Sequence, residues 1–335
     1  MDHLRILKQA WETTWRYRAL WVFGIILALT TSRGGGDFGS QYTINDEDLS
    51  RWSGQSSLPS IPPEIVSLLI GIGVALACLV LALALVSAVA RYVTETTLIR
   101  MVDDHQETGE RRSVRQGLRM GWSRAAWRLF LIDLLVGLPV ALAFILLFLL
   151  ALTPLLLWTT DSTAAKAIGT VAAIGLAFLF VLLAILVGVL LTLLSKFFRR
   201  ACVLENLGVI ESIRRGVGVV REHLKDVAIM WLIMAGVSLG MGVAMLVVAF
   251  LLVALGLVLG GLPALLVGGL TSQILEGAAP WMLAAAVGIP IFLLVVGLPI
   301  LFVGGLAEVF KSSVWTLAYR ELRALESVSS EPQVA

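Results

Sequence analysis

Charged side chains are scarce in this sequence of 335 residues. Asp, Glu, Lys and Arg together make up 14% of the chain, whereas about 25% is usual in soluble domains. So few charges could not cover the apolar surface of a water-soluble fold of this size, and a soluble protein is therefore excluded. The net charge of only +2 also argues against a nucleic-acid partner, because nucleic-acid binding needs a strongly basic surface.

The side chains that carry most metal and redox chemistry are scarce too. Two cysteines, Cys78 and Cys202, cannot form a disulfide scaffold, and the three histidines are widely spaced along the chain. The sequence contains no nucleophile–base–orienter set and no glycine-rich phosphate loop followed by Lys-Ser or Lys-Thr. We therefore predict no catalytic residues, no metal site and no cofactor, and we expect that the protein is not an enzyme.

Apolar residues are what the sequence has in excess, with 59% hydrophobic residues and a mean hydropathy of +0.94. A helix needs about 20 apolar residues to cross the roughly 30 Å hydrocarbon core of a bilayer. The sequence therefore predicts an all-α polytopic integral membrane protein, a single membrane domain over 1–335 with six transmembrane helices. The six spans are 19–31, 65–90, 129–158, 167–195, 227–259 and 281–307. The first of them is short, but a helical pattern that begins at Leu4 extends it towards the N-terminus.

The fifth span is followed by a further apolar stretch. As one helix, residues 227–269 would be about 65 Å long, which is more than a bilayer needs. The run Gly260-Gly261-Leu262-Pro263 contains two residue types that interrupt helices. We therefore interpret 262–279 as a re-entrant or interfacial segment on the extracytoplasmic side, not as a seventh span.

The basic residues alternate between the connections. All of the 25 Lys and Arg residues except Arg33, Arg51 and Lys166 lie in the N-terminal segment, the second and fourth connections and the C-terminal tail. Cytoplasmic loops carry the excess of Lys and Arg. We therefore predict a multi-pass protein of the cell inner (cytoplasmic) membrane with both termini cytoplasmic. The loop 32–63 is then extracytoplasmic.

Residues 1–31 combine a basic start with a short apolar run, as a cleaved signal peptide does. Asp2 and Glu12, together with the helical pattern from Leu4, favour an uncleaved membrane anchor. Removal of this segment would also leave five spans and move the C-terminus to the other side of the membrane.

A basic amphipathic stretch precedes each odd-numbered span. The three stretches align without gaps, with Ala10, Gly117 and Gly216 at the same position, and each even-numbered span ends in a basic residue. This pattern predicts three pseudo-repeated helix pairs, each preceded by an amphipathic helix at the cytoplasmic face. The predicted repeats are 3–100, 113–205 and 209–325, and the basic exits are Arg91, Lys196 and Lys311.

The polar faces of the second and third stretches are candidate binding surfaces for anionic headgroups. Basic side chains lie there opposite an apolar stripe, as is typical of helices at a membrane surface. Each such residue near an anionic leaflet contributes about 1 kcal/mol of binding free energy. The candidate lipid contacts are Arg115, Arg119, Arg214, Arg215, Arg221 and Lys225.

Asp133 is the acidic residue placed inside a predicted span. A carboxylate within a membrane helix costs roughly 2.5–3.5 kcal/mol on insertion scales, so it needs a purpose. One hypothesis is a proton or cation site. The interpretation that we favour is a shallow ion pair with an arginine of an amphipathic helix. Glu308, three residues before Lys311, is predicted to form a helix-face ion pair.

Prolines recur two residues after a glycine within or beside the spans, at Pro139, Pro263, Pro290 and Pro299. Broken helices can form transport sites, but proline and glycine are also common in membrane helices. Few polar residues accompany these positions, so we favour packing kinks. Small residues in span five indicate a close helix contact, either within the chain or with a second copy, and these are Gly236, Gly240 and Gly242.

The order of elements carries a resemblance. Three pairs of spans, opened by Lys8-Gln9-Ala10, Gln116-Gly117 and Arg215-Gly216 and closed by basic exits, resemble a broad group of uncharacterised prokaryotic six-span proteins. The arrangement is similar to the membrane domain of some glycerophosphodiester phosphodiesterases. In those fused relatives catalysis belongs to a separate soluble domain, so the resemblance implies an architecture and a connection with lipids but no catalytic residue.

These observations favour a non-catalytic lipid-interacting or scaffolding module of the cytoplasmic membrane. Its expected partners are membrane lipids with anionic headgroups, and also a membrane-protein partner or a second copy of the chain. The alternative is a small transporter or channel that uses the kinked spans three, five and six. Only a few polar residues support this alternative, namely Asp133, Thr153 and Ser238.

Overall fold

The computed structural model describes residues 1–31, 63–160, 162–274 and 277–330. Every regular element in these ranges is helical, which confirms the all-α prediction. The predicted loop 32–63 lies outside the described residues except for its last position. The α-helices are α1 (His3–Arg16), α2 (Ala19–Thr31), α3 (Pro63–Thr108), α4 (Val114–Gly121), α5 (Arg124–Leu152), α6 (Thr163–Leu204), α7 (Val209–Glu222), α8 (Leu224–Thr271), α9 (Ala279–Phe292) and α10 (Leu298–Ser330).

Five stretches of the described helices are long and apolar enough to cross a membrane, so the multi-pass fold is confirmed, whereas the predicted number of six spans is not reproduced. They belong to α3, α5, α6, α8 and the continuous α9–α10 segment. The remaining predicted span is α2, which has 13 residues. At about 1.5 Å per residue, α2 is about 20 Å long, which is shorter than the hydrocarbon core.

The helical pattern from Leu4 does not extend α2, because the chain bends between α1 and α2. Tyr17 at this bend has φ −107° and ψ 75°, and its side chain is buried. Its hydroxyl donates to the carbonyl of Arg112 at 3.0 Å and accepts the N–H of the same residue at 2.6 Å. A contact with a distant segment therefore fixes a bend that local periodicity does not reveal.

The prediction of a re-entrant or interfacial segment at 262–279 is wrong for most of its length. Helix α8 continues through Pro263 to Thr271 and has 48 residues. Its far end packs closely on α9, since a methyl group at Gly260 would lie 2.9 Å from the carbonyl oxygen of Gly288. Proline removes one backbone hydrogen bond, and the packing of small residues against α9 holds the helix on course beyond it.

The chain around Pro290 widens but stays helical. A π-helical turn, Leu293–Gly297, joins α9 to α10. The N–H of Leu293 donates to the carbonyls of both Ile289 and Pro290. Such turns often follow an interrupted hydrogen-bond ladder. The prolines at 139 and 263 also lie inside uninterrupted helices, so none of these three positions breaks its span.

The buried core lies at one end of the long helices, which we call the basic end. It comprises α1, α4 and α7 with segments 91–108, 196–204 and 308–326. Large side chains such as Leu98, Phe197 and Tyr319 are fully buried there. In contrast, at most 11% of the most apolar stretch of each of the five spans is buried. An apolar surface this large needs a non-aqueous environment.

The ends of the even-numbered spans form the centre of the basic end. Helices α3, α6 and α10 contact each other there, and α1, α4 and α7 pack around them. Helix α2 packs against α10 at a close crossing where Gly24 faces Gly305. This arrangement brings together charged residues that are far apart in the sequence.

Candidate functional site

The three short helices at the basic end each have a local start signal. The side chain of Asp2 accepts the N–H of Arg5 at the start of α1. Ser113 and Gln116 form a reciprocal capping box at α4. At α7, the N–H of Gly208 donates to Glu211 at 3.2 Å. These bonds satisfy N–H groups that a helix start leaves unpaired.

The aligned small residues are the points at which the short helices contact the long ones. Ala10 is fully buried. A methyl group at Gly117 would collide with Met101 and Phe23, and one at Gly216 would lie 2.5 Å from Cδ1 of Phe198. The alignment therefore identified positions with the same structural role, although the repeat itself stays a prediction.

The next residue in each alignment is exposed and apolar. Trp11 is 53% exposed, Leu118 48% and Val217 43%. They lie about 100° further round the helix than the buried small residue. More exposed apolar side chains extend this ridge along the same side of each helix. They are Leu4 and Trp15 in α1, Val114 in α4 with Trp122 just after it, and Ile210 in α7 with Leu224 just after it.

Most of the predicted lipid contacts lie on a third face of the helix, on the side of the apolar ridge that is away from the buried small residue. Among the six predicted residues, five are exposed: Arg115, Arg119, Arg214, Arg221 and Lys225. In α1 the corresponding positions hold Arg5, Lys8 and Glu12, which are also exposed. Each short helix therefore presents a packed face, an apolar face and a charged face in the same rotational order.

Arg215 does not fit the prediction of a lipid contact. It lies on the side of α7 opposite the apolar ridge. There it forms ion pairs with Glu205 at 3.4 Å and with Glu326. Partial burial lowers the pKa of Arg215, but the hydrogen bond to Glu326 and the charge of Glu205 outweigh this effect and raise the pKa overall. The sequence could not distinguish Arg215 from the predicted lipid contacts Arg214 and Arg221, because its acidic partners belong to other segments of the chain.

A cleft with four arginines lies at the bend between α1 and α2. Its volume is about 510 Å³. Arg112 is held by Asp104 at 2.7 Å, and burial raises the pKa of Tyr17 beside it. Sequence reasoning missed this cleft because its two halves are far apart in the chain. Its lining residues are Trp15, Arg16, Tyr17, Arg18, Ala19, Arg111 and Arg112.

An apolar groove of about 650 Å³ opens between α3 and the start of α5. Aliphatic and aromatic side chains form most of its lining, together with Arg124. Its main lining residues are Leu85, Val89, Tyr92, Trp122, Arg124, Trp127 and Phe130.

Asp133 forms an ion pair, but its partner is not the predicted one. Arg199 of α6 donates to Asp133 at 2.7 Å and to Glu95 at 2.6 Å, so one guanidinium lies between two carboxylates. The hydroxyl of Tyr92 also donates to Asp133, at 3.0 Å. The expected arginine of an amphipathic helix is therefore wrong, and Glu95 is a member of the site that sequence reasoning missed.

The basic exits of the even-numbered spans meet beside this cluster. Arg91 and Lys196 line a cavity of about 340 Å³, together with Asp133 and Arg199. Lys196 and Lys311 line a second cavity of about 210 Å³. Lys311 contacts Glu308 at 3.2 Å, which confirms the predicted helix-face ion pair.

The glycines of span five form no close contact with another helix in the part of the chain that the structure describes. A methyl group at Gly236, Gly240 or Gly242 would meet no atom within 4 Å among the described residues. A close contact within the chain, one of the two predicted options, is therefore not formed there. Ser238 lines the 210 Å³ cavity, whereas Thr153 is exposed in a 3₁₀ turn.

Three described residues could in principle share a metal ion. Glu222, His223 and Glu326 offer ligand atoms within 4.8 Å of one another. Glu326 already forms an ion pair with Arg215. The prediction that the protein binds no metal stays a prediction.

The comparison with protein families gives one match. The model described as "Family of unknown function (DUF7544)" matches residues 4–319. No curated protein and no solved structure matches the chain. This result shows no link with the glycerophosphodiester phosphodiesterases, and it agrees with the uncharacterised status that the resemblance implied. Because the match covers nearly the whole chain, the protein belongs to the family of unknown function DUF7544.

Proposed function

We propose that this protein is a non-catalytic module of the cytoplasmic membrane that binds anionic lipids. Its three short helices lie in the headgroup region of the cytoplasmic leaflet, and both termini are cytoplasmic. The observation that carries the proposal is the common rotational order of the packed, apolar and charged faces in α1, α4 and α7.

A helix at the edge of a membrane protein has three neighbours, namely the protein, the acyl chains and water. Each short helix has one face suited to each of them. The exposed apolar ridge includes Trp11, Trp15 and Trp122, and tryptophan prefers the boundary between acyl chains and headgroups. The same rotational order in all three helices supports one common orientation in the membrane.

The charged faces supply the attraction to anionic headgroups. Five exposed residues of α4, α7 and the start of α8 would contribute about 1 kcal/mol each at an anionic surface. The arginine-lined cleft at the bend of α1 and α2 adds further positive charge at the same end of the molecule. The apolar groove between α3 and α5, whose lining includes Arg124, has the size and chemistry to receive an acyl chain.

The resemblance to the membrane domain of some glycerophosphodiester phosphodiesterases fits a role next to lipids. This specific role next to lipids depends on the pattern of three helix pairs. The transport alternative receives less support. Asp133 is held by Arg199 and Tyr92, and the helices with Pro139 and Pro263 are continuous.

A triple variant, Arg214→Gln, Arg221→Gln and Lys225→Gln, tests the proposal. Arg215 stays unchanged because it forms ion pairs inside the protein. We expect native mass spectrometry to detect fewer bound phosphatidylglycerol molecules on the variant than on the parent protein, and equal numbers of phosphatidylcholine.

Lys166→Gln, near the other end of α6, is the control and is expected to retain the parent's phosphatidylglycerol. Thermal midpoints in detergent verify that all proteins are folded. Equal retention of phosphatidylglycerol by the triple variant and the parent would contradict the proposal.

A further inference from the structure

We propose that the protein binds a phosphate group between the basic exits of its even-numbered spans, in the cavity that Arg91 and Lys196 line. This site is separate from the charged faces of the short helices and does not depend on the function proposed above. The ligand is a phosphate ester or phosphate itself, so a phospholipid headgroup and a soluble phosphate are its two sources.

The geometry begins with Lys196. It lines both neighbouring cavities, and so does Thr192. The larger cavity has a volume of about 340 Å³, which lies within the usual range for small-ligand sites. Cations, hydroxyl groups and the carboxylate of Asp133, which is paired with Arg199, form the polar part of its wall. The apolar part is formed by Val136, Val140 and Leu191. A phosphate attached to an apolar chain would match both parts.

The charges around the two cavities do not balance. Five cations and three carboxylates line them or contact residues that do, which leaves two positive charges. The cations are Arg91, Lys196, Arg199, Arg200 and Lys311, and the carboxylates are Glu95, Asp133 and Glu308. Partly buried charge without compensation is costly, so an anion would stabilise this arrangement.

Two of the five cations have no carboxylate partner and face the larger cavity. Within the described ranges, no carboxylate oxygen lies within 4.0 Å of a side-chain nitrogen of Arg91 or Lys196. The other cations are engaged: Arg199 with Glu95 and Asp133, Lys311 with Glu308, and Arg200 with two backbone carbonyls.

Two unpaired donors belong to residues that line the same cavity. The Nε atoms of Arg91 and Arg199 are buried and have no hydrogen-bond partner among the described residues. Buried donors are normally paired. A phosphate accepts several charge-assisted hydrogen bonds at once and suits guanidinium groups in particular. Ser195 and Thr192 also line this space.

The test compares the parent protein with Arg91→Gln/Lys196→Gln after thorough delipidation in detergent. One arm adds phosphatidylglycerol in mixed micelles and the other adds inorganic phosphate, with chloride as the control anion. We expect at least one of the two probes to raise the parent's thermal midpoint. The double variant should bind that probe about tenfold more weakly or worse, because each lost cation removes a charge-assisted hydrogen bond.

The surface variant Arg214→Gln/Arg221→Gln separates this site from the function proposed above. It should keep the parent's response to inorganic phosphate, and it should lose less of the response to phosphatidylglycerol than Arg91→Gln/Lys196→Gln does. Ser195→Asp guards against a double variant that does not fold. Its carboxylate would supply the missing negative charge, so this protein should be at least as stable as the parent and should respond less than the parent to the effective probe. No response of the parent to either probe, or an equal response of Ser195→Asp, would overturn the proposal.

Discussion

Single residues at the basic end show how tertiary partners decide the role of a charge. The sequence identified Asp133 as an acid that needs a purpose, but it did not identify Arg199, because the two belong to different helices. Glu95 escaped notice because it follows Arg91 in a segment of mixed polarity. A useful signal was available in the pair Arg199-Arg200, since an arginine directly after a span needs a carboxylate at the same depth.

The first prediction concerns this ion pair. Asp133→Asn and Glu95→Gln should both lower the thermal midpoint in detergent, with the larger effect for Glu95→Gln. The side chain of Glu95 is 11% exposed and that of Asp133 is 23% exposed. Breaking a fully buried pair costs about 3–5 kcal/mol, and here the remaining carboxylate still compensates Arg199, so the loss should be smaller.

Glu308→Gln is the matched control, because its pair with Lys311 is more exposed and such pairs contribute about 0–1 kcal/mol. We also expect no gradient-driven current from the parent protein in liposomes. A proton or sodium current that vanishes in Asp133→Asn at an unchanged midpoint would favour the transport alternative.

At the scale of helices, periodicity predicted the elements well and their ends poorly. The spans, the short helices and the aligned small residues could be read from apolar spacing, because each depends on local pattern. The bend at Tyr17 and the continuation of α8 past Pro263 could not, because distant contacts decide both. The two cavities that Lys196 lines could not be predicted either. They depend on how the ends of α3, α6 and α10 meet, and these ends are far apart in the sequence.

The second prediction concerns how α7 packs on α6. Gly216→Ala should destabilise the protein, because the new methyl group would lie 2.5 Å from Phe198. Overpacking of this kind costs about 1–3 kcal/mol. Gly218→Ala in the same helix meets nothing within 4 Å and should leave stability unchanged or raise it by up to about 1 kcal/mol. Thermal midpoints in detergent measure both, and equal midpoints would show that α7 does not pack as described.

For the molecule as a whole, the distribution of basic residues predicts the orientation in the membrane. The described structure gathers these residues at one end, which is consistent with that prediction but does not orient the molecule. The sequence could therefore predict that this is a multi-pass membrane protein and which chain segments carry its basic residues. It could not predict that the core lies at the basic end, because apolar composition is highest in the exposed spans.

The third prediction tests the orientation with cysteines introduced one at a time in a Cys78→Ser background, in which the remaining Cys202 is buried. Thr160→Cys and Gln273→Cys lie at the end opposite the basic end, and both positions are exposed. An impermeant maleimide added to intact cells should label them. Glu110→Cys, exposed at the basic end, should react only after the cells are opened. Labelling of this cysteine from outside would reverse the proposed topology.

The position of the core has a consequence for how the protein responds to bilayer thickness. Helix α8 has 48 residues and is about 72 Å long, which far exceeds a hydrocarbon core of about 30 Å. Helices adapt to such a mismatch mainly by tilting. Because the basic end is densely packed and most of each span is exposed, tilting would move the opposite ends, including α8 together with the α9 that packs on it, while the basic end stays fixed. A thicker or thinner bilayer would thus change the protein's cross-section in one leaflet and leave it unchanged in the other.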